Sequence, residues 1–144
     1  MMRIVLDPPP DRTSGDIASM VASELTGIAD PRLANALKRF VVSPPRMEMR
    51  TWEWSRPAME FPTWVAAESA DYDYGLVYSD NGFGPDRPWG LVFSSHDSFG
   101  ADYCWYPRLI EAFLESRLVE EFDADTQAFL AAATRDVFRS GGTT

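Results

Sequence analysis

The chain has 144 residues, 45% hydrophobic and 24% charged, which suits one globular domain over residues 1–144 that buries roughly two-thirds of the surface its unfolded form exposes. No apolar run approaches the roughly 18 residues of a bilayer span, so no membrane partner is expected. The formal net charge is −9, and between Phe61 and Pro107 seven acids face the lone base Arg87, a poor fit to nucleic acid, whose binding rests on Lys and Arg meeting phosphates.

The opening MMRIVLDPPP carries only three consecutive apolar residues after its arginine, too few for an export signal, and cytoplasmic location is the expectation. Arg3 to Leu6 reads as a short strand ended by the Pro8-Pro9-Pro10 run. Thr13 or Ser14 suits a helix N-cap, and Ile17, Met20, Val21, Glu24 and Leu25 recur at helical spacing before Gly27. Asp30-Pro31 repeats the start signal and leads into Leu33, Ala36, Leu37, Phe40 and Val41, with Pro44 and Pro45 expected to close this helical hairpin.

From Arg46 the period changes to two. Met47, Met49 and Thr51 alternate with Arg46, Glu48 and Arg50, the pattern of a strand with one wet, charged face. Trp52 and Trp54 fall on that charged side, so a bulge intervenes or the face is covered farther along the chain. Phe61–Glu68, Tyr74–Ser79 and Trp89–Ser94 are strand-length and rich in aromatic and branched residues, and the turn signals between them predict an antiparallel meander. Leu109, Ile110, Phe113, Leu114, Leu118 and Phe122 predict one helix over 109–122 with its apolar stripe on the sheet. A last helix capped by Asp123 or Asp125 follows, and SGGTT reads as a frayed tail. The class expected is α+β, an antiparallel sheet of about four strands with helices at both ends of the chain.

The stretch DNGFGPDRPWG, Asp80 to Gly90, asks for positive-φ residues at Gly82 and Gly84, stiffens its return with Pro85 and Pro88, and leaves Phe83 and Trp89 to anchor it. Gly82, Phe83, Gly84, Pro85 and Trp89 are therefore expected to build a structural turn. The run GLVYSDNGFGPDRPWGLVF, followed by an aromatic element and PRLIEAFLES, resembles small bacterial proteins of unknown function that share a Gly-Phe-Gly-Pro, then Pro-Trp-Gly core. The likeness spans roughly Trp52 to Ser116. More loosely, a small acidic α+β chain is similar in type to immunity proteins that neutralise secreted bacterial toxins.

The charge map has its own implication. Residues 1–60 sum to zero, whereas Phe61 to Pro107 sum to −6, and 14 of the 19 aromatic residues lie between Trp52 and Tyr106. Carboxylates select a cationic partner and aromatic rings supply contact area at low entropic cost, so Asp71, Asp73, Asp80, Asp86, Asp97 and Asp102 are expected to bind a basic protein domain. The alternative is a small hydrolase or metal-dependent enzyme using carboxylates of residues 68–102. No catalytic residue, metal ligand or cofactor is assigned. His96-Asp97 with Cys104 is a poor thiol-catalysis set, because neighbours on a strand point apart and Tyr103 and Trp105 mark Cys104 as a small buried residue. The acidic loops lack the glutamate that completes an EF-hand, nothing selects a glycosidase pair such as Glu68 with Asp80, and Gly82-x-Gly84 lacks the third glycine of a dinucleotide fingerprint.

Overall fold

The computed structural model describes residues 12–52, 59–81, 83–100 and 102–141. The expected strand at Arg3 to Leu6, Trp54, and the last three residues of the tail lie outside them. Thr13 caps α1 (Ser14–Thr26) through a reciprocal box: its hydroxyl accepts the Asp16 N–H at 3.1 Å, and the Asp16 carboxylate accepts the Thr13 N–H at 2.8 Å. That backbone donor holds the Asp16 carboxyl below the usual carboxylate range. Asp30 caps α2 (Pro31–Lys38) by accepting the Arg32 N–H at 2.8 Å, with Pro31 at the first helical position.

The two prolines do not close the hairpin. Strand β1 runs Val41–Trp52, straight through Pro44 and Pro45, with a register irregularity between Val41 and Arg46. A strand at a sheet edge tolerates residues without an N–H where its outer side needs none. β2 (Met59–Glu68), β3 (Gly75–Tyr78), β4 (Trp89–Val92) and β5 (Trp105–Tyr106) follow in the order β1-β2-β3-β4-β5, every pair antiparallel. The sheet thus has five strands rather than about four. β5 is two residues long, too short to leave a periodic signal, and register alone makes it a strand: Trp89 pairs with Tyr106 and Gly90 with Trp105.

Both faces of the sheet centre are covered. On one, Ala66, Leu76, Tyr78 and Trp89 pack against Ile17 and Val21 of α1, Leu33 and Leu37 of α2, and the third helix. On the other, Phe61, Val65, Val77 and Val92 pack beneath Phe99 and Trp105. This second cover includes a strap, residues 93–100, that leaves β4 and crosses back to β1. At β1 it makes a parallel bridge, Ser98 beside Thr51, in which the Thr51 N–H donates to the Asp97 carbonyl and the Phe99 N–H donates to the Thr51 carbonyl at 3.1 Å. Antiparallel sheets commonly leave one face wet. Here β3 is buried at all four residues.

The helix expected over 109–122 breaks. α3 spans Leu109–Glu115, Ser116 is extended with ψ 163°, and a 3-10 turn covers Arg117–Glu121. The Ser116 hydroxyl explains the stop: it donates to the Phe113 carbonyl at 2.6 Å and accepts the Leu118 N–H at 3.2 Å, offering the backbone an alternative to the helical ladder. Leu109, Ile110, Phe113, Leu114 and Leu118 are buried on both sides of the break, which is why the stripe looked continuous. α4 (Ala124–Gly141) is capped by Asp123, whose carboxylate accepts the Thr126 N–H at 2.8 Å, and it extends into the residues expected to fray.

Candidate partner-binding surface

The turn between β3 and β4 is a packing element. Gly84 has φ 103°, the left-handed region a side chain rarely adopts. Phe83 lies edge-on to Trp52 with centroids 4.6 Å apart and 5.9 Å from Trp105, so the loop plugs one end of the second core. Trp89 is 2% exposed and meets Tyr78 at 5.0 Å on the opposite face. Gly90 lies directly under the Trp105 indole. A Cβ there would approach the ring to 2.4 Å. Pro85 is exposed at the turn, and Gly82 lies outside the described residues.

The six carboxylates do not form one group. Asp71 and Asp73 sit exposed on the β2–β3 hairpin, and Asp80 and Asp86 on the β3–β4 loop at the opposite end of β3. Four residues of strand put roughly 13 Å between those ends. Asp97 lies on the strap between two anchors: Ser95, whose N–H donates to the Asp73 carboxylate at 2.7 Å and whose hydroxyl adds a second bond, and β1, where the Asp97 carbonyl accepts the Thr51 N–H. That hydroxyl is the main reason the Asp73 carboxyl sits below its usual range, with the His96 and Arg50 charges assisting. Asp102 opens the 3-10 turn Asp102–Cys104 before β5.

Asp80 has an internal task. It accepts Arg12 Nε at 2.7 Å and the Tyr78 hydroxyl at 2.7 Å, tying the chain before α1 to the end of β3. Asp71, Asp73, Asp86 and Asp97 take part in no ion pair among the described residues. At the hairpin end they keep aromatic company: Tyr72 is 61% exposed and stacked on Tyr74, and Phe93 is 53% exposed against the His96 ring at 5.2 Å. Of the expected residues, Asp71 and Asp73 therefore share the hairpin with Tyr72, and Asp97 follows Phe93 on the strap that Ser95 ties to Asp73.

Two features escaped the sequence. Arg50, expected on the wet face of β1, is 1% exposed beneath the strap, where it donates to the His96 carbonyl at 2.7 Å, the Ser98 carbonyl at 3.2 Å and the Glu48 carboxylate at 2.9 Å. Met47 and Met49, expected inside, are about half exposed. The signal was present in Trp52, whose place on the charged side meant that this face is covered farther along. Cys104 is half-buried at the margin of the second core, more accessible than its aromatic neighbours implied.

Three of the five tyrosines, Tyr74, Tyr78 and Tyr106, have phenols pushed up to about 12, chiefly by burial and, for the first two, by bonds to Glu121 and Asp80. Such phenols keep their proton in the fold longer than in the unfolded chain, whose pKa is about 10. Their contribution to stability is complete below about pH 10 and lost as the pH rises through about 12. An alkaline titration followed by absorbance near 295 nm and by circular dichroism should show these three ionising together with unfolding. A fully folded protein with every tyrosine ionised at pH 11 would contradict this.

Compared with known proteins, the chain matches no protein-family model, no curated protein and no solved structure. No helix of the described residues is long and apolar enough to cross a membrane, and none of their His, Cys, Asp or Glu side chains gather in a group of three that would hold a metal ion.

Proposed function

We propose that the chain is an acidic binding protein that occludes a basic protein domain, most concretely a bacterial immunity protein acting in the cytoplasm on a toxin whose cleft presents Lys or Arg. What supports the reading is the hairpin and the strap tied to it: Asp71, Asp73 and Asp97, without a cationic partner in an ion pair among the described residues, lie on the same two segments as the exposed Tyr72 and Phe93. Unneutralised carboxylates steer a cationic partner in, and rigid aromatic area holds it once desolvated. Asp86 adds to the field from the opposite end, while Asp80 belongs to the fold.

The test is association kinetics at two ionic strengths against a candidate toxin domain, sought first in the gene next to this one. Asp71→Lys with Asp97→Lys should slow the on-rate about tenfold or more and flatten its salt dependence, with stability within about 1 kcal/mol because both side chains are exposed. Asp80→Lys is a different experiment, since it breaks the Arg12 and Tyr78 contacts and should lower stability. Unchanged association of the Asp71/Asp97 variant would sink the proposal. So would a hydrolytic activity that disappears with those carboxylates.

A further inference from the structure

Strand β1 is the outer strand of the sheet, and among the described residues its outer edge is open over a short window. The Thr51 N–H and carbonyl both engage the strap, so they point away from β2. Pairing of Arg46 to Trp52 with β2 is continuous in register, and backbone direction alternates along a strand, so the N–H and carbonyl groups of Met47 and Met49 point outward as well. Among the described residues no hydrogen bond reaches those four groups. Pro45 bounds the window on one side and the strap at Thr51 on the other. Met47 is 48% exposed and Met49 45%.

An edge with free backbone groups and exposed apolar side chains is a template for strand addition. The charges choose the occupant. Arg46, Met47 and Glu48 read as their own complement in an antiparallel pair: with a two-fold axis at Met47, Met47 meets Met47, Arg46 lies opposite Glu48, and Glu48 opposite Arg46. Both charged side chains reach solvent, 51% and 29% exposed; within the chain Arg46 bonds Glu68 at 3.0 Å and Glu48 at 3.5 Å, and Glu48 bonds Arg50 at 2.9 Å, so pairing across the axis exchanges the longer Arg46–Glu48 contact for one with the partner. Cross-strand pairs of opposite charge stabilise a sheet and like charges directly opposite destabilise it.

We propose that β1 pairs with β1 of a second copy of this chain in that register, joining two five-stranded sheets into one. The window is short and buries far less than a standard interface of about 1,600 Å², so the dimer is weak and reversible. The window abuts the strap at Asp97, which belongs to the proposed partner-binding surface, but contains none of that surface's residues.

Sedimentation equilibrium up to about 1 mM protein tests it. The wild-type mass should rise from 16.2 kDa towards twice that value. Met47→Lys places two like charges face to face on the axis without touching the core, and should raise the dissociation constant at least about tenfold with an unchanged circular dichroism spectrum. Register has its own readout. Under mild oxidation Met47→Cys should form a reducible dimer well above the background that Cys104 sets in the wild type, whereas Met49→Cys should not. A wild-type chain monomeric at every concentration overturns the proposal, as does Met47→Lys dimerising like the wild type. Cross-linking through Met49→Cys in preference to Met47→Cys overturns it too, since that belongs to another register or partner.

Discussion

Gly90→Ala is expected to cost the fold about 3 kcal/mol, at the upper end of what one added methyl does in a packed interior. The new Cβ would meet three indole atoms of Trp105 at 2.4 to 2.6 Å, closer than atoms can approach. The ring has little freedom to yield. Trp105 is 2% exposed, its indole N–H donates to the Phe99 carbonyl at 2.9 Å, and it packs against Phe99 and Phe83. Moving it would therefore disturb the strap as well as β5. Chemical denaturation gives the measurement, and a double-mutant cycle identifies the cause. Trp105→Leu alone should cost about 3 kcal/mol through lost burial and the cavity left behind. Combined with Gly90→Ala it should cost at least about 1 kcal/mol less than the sum, because the clash has gone. Gly84→Ala is the contrast: its φ of 103° penalises any side chain although nothing lies within 4 Å, so Trp105→Leu should not relieve it. A Gly90→Ala protein within about 0.5 kcal/mol of wild type would show that the ring shifts freely.

Arg50→Met is expected to destabilise the protein by about 2–4 kcal/mol while keeping most of the aliphatic stem. The loss has a definite location. The guanidinium clips the strap to β1 through the His96 and Ser98 carbonyls and is itself neutralised by Glu48, so its removal leaves two carbonyls without their donor and the half-buried Glu48 carboxylate with only the longer bond from Arg46 at 3.5 Å. The adjoining bonds, Thr51 to Asp97 and Phe99 to Thr51, should then open. Amide hydrogen exchange at Thr51 and Phe99 should rise by orders of magnitude, with the β2–β3 ladder much less affected. Arg50→Lys should fall between, since one ammonium on a flexible stem does not reproduce a planar fork reaching three acceptors. Because the strap carries Asp97 and the Ser95 that holds Asp73, the Met variant should also weaken partner binding under the proposed function. Retained protection at both amides, with stability within about 1 kcal/mol of wild type, would refute the clip.

Local chemistry was legible along the chain. Thr13 with Asp16, Asp30 with Pro31, and Asp123 each satisfy orphan helix N–H groups from within three residues, so those helix starts follow from short sequence patterns. The meander is of the same kind, since brief connections between strand-length apolar runs leave antiparallel pairing as the economical solution. Ser116 shows where local reasoning fails: hydrophobic spacing reports which side chains are buried and is silent about a hydroxyl that redirects the backbone between them. Of the expected carboxylates, the sequence supplied type and charge. It had no means of sorting Asp71, Asp73 and Asp97 from Asp80 and Asp86, because which end of β3 each occupies depends on where the turns fall.

What the sequence determined by itself is therefore the α+β class, the helix caps, the antiparallel order and the acidic, aromatic character of residues 61–107. Tertiary structure alone decided the faces. A period of two divides β1 into two sets of side chains without saying which set is inside, and transfer free energy by itself puts Met47 and Met49 in and Arg50 out. The strap reversed that choice for Arg50. It arrives from about 46 residues away with two backbone carbonyls that need donors, and a buried guanidinium paired to Glu48 meets the need, while the methionines are left on a part of the opposite face where they remain half exposed. Such a contact is worth enough to override hydrophobic patterning, and it exists only once distant segments have met.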